Sequence, residues 1–328
     1  MNKGSHVVPP RDFDKTMSLK VIGGSSHKEF TKKICDHLGI QETKTQSFKF
    51  SNDNRFIIVD EAVRGDDVFV VQTQIKPVNS HIIELLMIVR TLRDASAERI
   101  TVVLPYFPYS RSDKKDQPRI CITSKLITDL LESAGANRIL TMQLHSPQVQ
   151  GFSNIPFDHI IAAPDIVKYL QDNWDLTNYV IVAGDSGAAK MIEPYTDALN
   201  LPIAMIDKRR IGNDEKVVIK SVLGEIKNKK VLILDDETLS GGTLIEDAKY
   251  LLEAGAEEVD ACFVHANLGI GAAEKLNNSP IRKFLTTDTI PSSHQGLRNL
   301  EVVSVSKRFA DFIKRIHENE SVKELNDI

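Results

Sequence analysis

The chain has 328 residues, 41% apolar and 26% charged, with a formal net charge of -4 and a pI near 6.2. That length suits one large domain or two ordinary ones, and those fractions support a full core. The mild acidity speaks against a general nucleic-acid or membrane-surface binder, and no apolar run approaches the roughly 18 residues of a membrane span, so neither partner is expected.

Residues 1–17 are polar and Pro-containing, unlike a secretory signal, and read as a flexible extension. Leu19 to Gly24 is an apolar run ending in glycines, a first strand. Ser25 or Ser26 can cap the helix that follows, and Gly39 can end it. Further short β-branched runs are DVFVVQT (67–73), RITVVLPYF (99–107), RILTMQLH (138–145), NYVIVAGD (178–185), KKVLILDD (229–236), VDACFVHA (259–266) and KFLTTDT (283–289). Helix-period segments lie between them, at 81–97, 124–135 and 243–256 among others. Continuous apolar strands alternating with amphipathic helices predict parallel sheets covered on both faces.

The fold class is therefore α/β. The alternation predicts two tandem domains, 18–160 and 161–310, followed by a C-terminal helix and tail at 311–328. A single (β/α)8 barrel is the structural alternative. Three cysteines, Cys35, Cys121 and Cys262, lie far apart without metal-ligand spacing, which predicts reduced thiols and a cytoplasmic protein.

The chemistry is expected at strand ends. Asp235 and Asp236 close an apolar run, and in open α/β sheets ligands bind beyond the carboxyl ends of strands. Ser240, Gly241, Gly242 and Thr243 then form a turn whose amides can cradle an anion at a helix N-terminus. Carboxylates beside an anion nest suit a sugar phosphate, whereas a solvated βα turn is the bland alternative. Asp185, Ser186 and Gly187 repeat the arrangement after an earlier strand. Lys208, Arg209 and Arg210 fall on a predicted flexible loop, where cations can close over a transferring phosphoryl group. Arg111, Lys114, Lys115 and Arg119 load another strand end, and His145 stands at the next as a metal or phosphate ligand. With no Walker A and no GxGxxG, the set predicts phosphoryl transfer by positioning and charge, with Mg2+ bridging phosphate oxygens.

At these residues the chain resembles the ribose-phosphate pyrophosphokinases, or phosphoribosyl pyrophosphate (PRPP) synthetases. GGSSH, FSN, VRGDDVFVVQ, PYFPYSRSDKKD, MQLHSPQVQGF, DKRR, ILDD…GGT and DTIP fall in the family's order from Leu19 to about Val322. The resemblance implies two phosphoribosyltransferase-like (Rossmann-like) domains and Mg2+-dependent transfer of diphosphate from ATP to the anomeric hydroxyl of ribose 5-phosphate. It implies Arg111, Asp113 and His145 for ATP, with His145 and Asp185 as metal ligands, and Lys208 with Arg210 as the catalytic basic pair. Asp235 and Asp236 would grip the ribose hydroxyls, Ser240 to Thr243 the 5′-phosphate, and the turn Asp185 to Gly187 the diphosphate. Phe50 and Asn52 resemble the adenine loop that reaches a neighbouring subunit, implying a dimer-based homo-oligomer, often a hexamer.

The departures are specific. The sugar-phosphate loop commonly reads DDxxDTxGT, and Leu239 replaces its third acid. Asn54 stands where an acid is usual, Ser112 where glutamine is, and Gln143 where aspartate is. The tail ESVKELNDI lacks the aromatic ending of phosphate-activated members, which puts control by phosphate and ADP in doubt. Leu239 admits a second acceptor, a larger derivative such as ADP-ribose. A non-catalytic regulatory subunit is opposed by the retention of Lys208, Arg210, His145 and both aspartates. A base-transferring phosphoribosyltransferase shares the DD…GGT loop but would not need the N-terminal ATP half.

Overall fold

A computed structural model describes residues 17–184, 187–211, 216–291 and 296–328; the side chains at 189, 208–211 and 216–220 lie outside the description. Residues 1–16 of the predicted extension, Asp185 and Ser186 also lie outside it.

The first half begins with β1 (Leu19–Gly23), α1 (Lys28–Leu38) and a hairpin of β2 (Thr45–Lys49) and β3 (Arg55–Val59). It continues through β4 (Asp67–Val71), α2 (Val78–Asp94), β5 (Arg99–Leu104), α3 (Thr123–Ala134), β6 (Arg138–Met142) and β7 (Phe157–Ile160). The strands form a five-stranded sheet in the order β1-β4-β5-β6-β7, every neighbour parallel, with the hairpin as a separate two-stranded sheet. Val68 to Val71 and Val102 to Leu104 are buried, as continuous apolar strands in a doubly covered sheet must be. Gly39 ends α1 in the left-handed conformation, at φ 68°.

Neither Ser25 nor Ser26 caps α1. His27 stands at that position, without a side-chain capping bond. Both hydroxyls are taken by buried polar groups instead: Ser25 donates to Glu84 and Ser26 to Gln72 Oε1 at 2.6 Å. Burial disfavours the charge of Glu84, yet bonds from Ser25, Ser47 and Gln72 and the cation of Arg55 hold its carboxyl below the usual range. A buried carboxylate outbids a helix end, because leaving it unsatisfied costs more than a missing cap.

The second half contains α4 (Ala163–Asn173), β8 (Tyr179–Ala183), α5 (Ala189–Leu199), β9 (Ile203–Ile211), β10 (Lys216–Leu223) and β11 (Lys230–Thr238). It ends with α6 (Gly242–Glu253), β12 (Glu258–Ala266), α7 (Ala272–Asn277), β13 (Phe284–Thr287), β14 (Leu300–Val303) and α8 (Ser306–His317). The seven-stranded sheet has the order β10-β9-β8-β11-β12-β13-β14, and β9–β10 is its antiparallel pair. Two open sheets exclude the barrel. The order reverses between β8 and β11, so a crevice lies beyond their carboxyl ends.

One core cluster joins the halves: Val21, Phe30 and Leu140 belong to the same buried group as Ile181, Leu232 and Phe309. Phe30 of α1 meets Phe309 of α8 edge-on at 5.4 Å. The boundary expected at 310/311 therefore falls inside α8, a helix of this shared core. No helix among the described residues is long and apolar enough to cross a membrane.

Candidate active site

β11 does not stop at the paired aspartates; it runs on to Thr238, pairing Glu237 with His265 of β12. Leu239 then leads into the turn, and its carbonyl accepts the Gly269 N–H at 2.8 Å, which fixes the turn against the loop after β12. Gly241 sits at φ 71°, and a Cβ there would stand 2.7 Å from Leu276 Cγ. Only glycine meets both demands. Ser240 Oγ accepts the Gly242 N–H at 3.3 Å, and α6 begins at Gly242, so the turn presents the positive end of a helix. Ser240, Gly242 and Thr243 are exposed there.

The two halves meet at this strand end. His145, from the loop after β6, donates from Nδ1 to Asp236 Oδ2 at 2.8 Å. This hydrogen bond raises the His145 imidazolium above its ordinary range, with burial opposing it. Burial works against charge on Asp236, but the bond and charge of His145 hold its carboxyl below the usual value. Asp235 is exposed on the opposite side of the strand end and accepts the Asp236 N–H at 2.9 Å. The two aspartates thus do different things: Asp236 is tied to His145, and Asp235 faces outward.

Glu237 completes the centre, and the sequence alone did not single it out. It is buried, and Tyr106 donates its hydroxyl to Glu237 Oε2 at 2.7 Å. Asn267 Nδ2 donates in turn to the Tyr106 oxygen at 3.0 Å. Glu237 Oε1 has no hydrogen bond; Arg111 Nε lies 3.5 Å away, at ion-pair range. Burial pushes the Glu237 carboxyl above its ordinary range and Asp236 adds to this, against Tyr106, Arg111 and His145. Donor atoms of His145, Asp236 and Glu237 all lie within 4.8 Å of one another, a group able to hold a metal ion. The signal that could have found Glu237 is its place directly after two acids at a strand's exit, opposite a Tyr-containing strand end in the other half.

The remaining expected residues divide. Arg111 joins the centre. Asp113 is half-buried in the same loop. Ser112 is spent on that loop: its Oγ accepts the Thr123 N–H at 3.1 Å and its carbonyl accepts the Ser124 hydroxyl at 2.9 Å. Phe50 and Asn52 occupy the tip of the β2–β3 hairpin. Phe50 is exposed with its ring against Phe48 and Phe56, and Asn52 accepts the Asn54 N–H at 3.1 Å in the turn. Lys208 and Arg210 are not on a loop but in β9, paired by backbone with Ile219 and Val217. The β-branched residues of VVIK in β10 supply a partner strand that the charge run concealed. Gly187 is exposed in the turn before α5.

Two parallel α/β units meeting over this strand end form a tandem phosphoribosyltransferase-type protein. The description "N-terminal domain of ribose phosphate pyrophosphokinase" matches residues 19–135, and "Phosphoribosyl synthetase-associated domain" matches 209–326. A ribose-phosphate pyrophosphokinase of Caldanaerobacter subterraneus subsp. tengcongensis is 39% identical over 94% of this chain and 98% of its own. Ribose-phosphate pyrophosphokinase 4 of Saccharomyces cerevisiae is 38% identical over 94% of each. The crystal structure of phosphoribosylpyrophosphate synthetase from Mycobacterium smegmatis matches with a TM-score of 0.86 at 33% identity, over 92% of this chain and 99% of that one. The chain belongs to the ribose-phosphate pyrophosphokinase family.

Proposed function

We propose that the protein transfers the terminal diphosphate of ATP as one unit to the anomeric hydroxyl of ribose 5-phosphate, giving PRPP and AMP. The observation that carries this reading is the junction itself: His145, Asp236 and Glu237 converge within 4.8 Å beside the Ser240–Thr243 turn, with Arg111 facing them from the other half. The hydroxyl oxygen attacks the β-phosphorus and gives up its proton to solvent, the bond to the α-phosphate bridging oxygen breaks, and AMP leaves with that oxygen.

The turn amides and the α6 N-terminus hold the 5′-phosphate. Asp235 orients the ribose hydroxyls from the exposed side of the strand end. Arg111 lies where phosphate charge gathers, and Lys208 and Arg210 stabilise the diphosphate in flight. Asp185 to Gly187, which follow β8 in the sequence, receive the diphosphate. His145, Asp236 and Glu237 suit Mg2+, since two carboxylates and one imidazole leave positions for water and phosphate oxygens. The bound ion would neutralise phosphate charge, with Asp185 as a further ligand.

ATP is the donor, with Asp113 on its side of the site. Its adenine is held by Phe50 and Asn52 of a neighbouring subunit in a dimer-based oligomer, up to a hexamer. Exposed Phe48, Phe50, Phe56 and Ile58 on one hairpin support that assembly. Free Cys35 and Cys262 support a cytoplasmic setting.

Incubation with Mg-ATP and ribose 5-phosphate, with AMP and PRPP quantified by mass, tests the reading; absence of AMP refutes it. A second acceptor class is favoured by one observation: half-buried Leu239 borders a cavity beside the cradle. On this reading the same chemistry runs on ADP-ribose.

A further inference from the structure

His265 of β12 is buried where the two halves touch, and both nitrogens of its ring are used. Nε2 lies 3.1 Å from the Gln143 carbonyl oxygen and 3.2 Å from that of Met142, both in the first half. Carbonyls can only accept, so Nε2 carries the proton and Nδ1 is bare. The Thr289 hydroxyl, 2.8 Å away, donates to Nδ1. Burial holds the pKa of the ring down to about 4, which keeps it neutral in this one tautomer. The Thr289 carbonyl in turn accepts the Thr73 hydroxyl at 2.7 Å, so the support of the ring is itself anchored across the junction.

The backbone that His265 grips is a bend. Gln143 follows β6 at φ 43°, in the left-handed region that non-glycine residues rarely adopt. Such a residue persists only where its surroundings over-determine it, and here they do. The Gln143 N–H donates to the Ile160 carbonyl at 2.9 Å, and its side-chain oxygen accepts the Ala162 N–H at 3.3 Å. His159 Nε2 accepts the next amide, that of Leu144, at 2.8 Å. These partners belong to β7 and the residues just after it, and His265 adds the hold from the second half. Two residues past the bend stands His145, bonded to Asp236 at 2.8 Å. His265 also pairs with Glu237 in the sheet, and its ring packs 4.9 Å from that of Tyr106, which donates to Glu237.

We propose that His265 is a positioning residue: its bond to the Gln143 and Met142 carbonyls fixes the bend that delivers His145 to Asp236 and Glu237. This rests on the reading of those three residues as the group that holds Mg2+. His145 comes from one half and the two carboxylates from the other, so the group is assembled only when the halves stay in register. His265 sets that register at the bend itself. It touches no substrate and acts through His145, as partners behind a metal ligand do.

Two polar replacements separate the bonds of the ring. His265→Gln puts an amide N–H where Nε2 stands, whereas the shorter side chain of His265→Asn ends on the Thr289 side. The full-length wild type and both variants are compared by Mg2+ titration without nucleotide and by the Mg2+ concentration for half-maximal AMP formation. KM for ribose 5-phosphate and urea unfolding are measured alongside. His265→Asn should raise both Mg2+ values at least about tenfold, the scale of a lost partner behind a metal ligand. KM for ribose 5-phosphate, which the cradle after β11 sets, should stay within about twofold. His265→Gln should keep both Mg2+ values within about threefold of the wild type, which decides the matter even if His265→Asn does not fold. In a His145→Ala background, His265→Asn should change Mg2+ affinity by less than about twofold, because the group it positions is gone. A loss of stability with both Mg2+ values unchanged overturns the proposal. So does an undiminished effect in the His145→Ala background, or a shift in His265→Gln as large as in His265→Asn. If AMP forms but His145→Ala leaves Mg2+ affinity unchanged, this inference fails while the pyrophosphokinase reading stands. If the wild type forms no AMP, that reading fails, and the titration without nucleotide still decides the role of His265.

Discussion

Tyr106→Phe isolates the contact between the two halves at the centre of the site. The phenol is 7% exposed, donates to Glu237 Oε2 at 2.7 Å and accepts from Asn267 at 3.0 Å. Removing the hydroxyl keeps the ring, which packs 4.9 Å from His265, so the change is electrostatic rather than steric. A hydrogen bond to a charged partner contributes about 1.5–3 kcal/mol. Converted at 1.4 kcal/mol per tenfold, that is roughly 10- to 150-fold in an equilibrium constant. The loss should fall on metal affinity, because Tyr106 orients a carboxylate that would bind the ion; second-layer partners of this kind typically govern about 10- to 100-fold. The assay is Mg2+ titration of the protein without nucleotide, together with the Mg2+ concentration for half-maximal AMP formation. Both should shift upward by at least about tenfold, the low end of that range. A variant that melts like the wild type and keeps both values would refute the assignment of Glu237 as a ligand.

Lys208→Ala should lower turnover by at least roughly a hundredfold in the AMP assay, the usual scale for a lost charge stabiliser; unchanged turnover would leave the β9 cations a solvated run. Gly241→Ala forces a side chain onto Leu276 at φ 71° and should raise the KM for ribose 5-phosphate more than that for ATP, with about 1–3 kcal/mol lost in urea unfolding. Asp260 is fully buried between the Tyr179 hydroxyl at 2.6 Å and Arg282 Nη2 at 2.6 Å. Arg282→Met, which strands that charge, should cost about 3–5 kcal/mol by the same measurement. His159 is held down to about 4 by burial, and its Nε2 accepts the Leu144 N–H at 2.8 Å. Its folded pKa lies below the ordinary 6.5, so the unfolded chain binds the extra proton first. Stability should be flat above that value and fall by at most about 3 kcal/mol as pH drops toward 4. If His159→Asn shows the same fall in urea midpoint, another group is responsible.

The strands were legible where burial on both faces makes them continuous apolar runs, as in β4, β5, β8 and β12. β9 and β10 were not, because three consecutive cations mask the β-branched pattern and an antiparallel edge pair is recorded in no single segment. Asp236 could be placed at a strand end from its neighbours, but its partner His145 is 91 residues away in sequence. Periodicity carries no information about such a pair. Glu237 shows the same limit more sharply: its role depends on Tyr106 and Arg111 from the other half. Ser25 misleads as a cap because capping propensity is local, whereas the carboxylate it serves, Glu84, is 59 residues distant.

The departures from the family's motifs become one pattern in three dimensions. Leu239 and Ser112 are far apart in sequence, yet both border the cavity beside the cradle. Ser112 has its hydroxyl turned into its own loop, so the longer polar side chain usual there is missing from the cavity wall. Leu239 removes a carboxylate from the same space. The wall nevertheless stays polar, because Arg111, Lys114, Asp116, Glu237 and Asn267 border it as well. Glu237 belongs both to this wall and to the group with His145 and Asp236, so the cavity opens onto the junction rather than forming a site apart from it. The departures at Leu239 and Ser112 therefore fall beside the junction, while the turn after Leu239 keeps its glycines and its helix end.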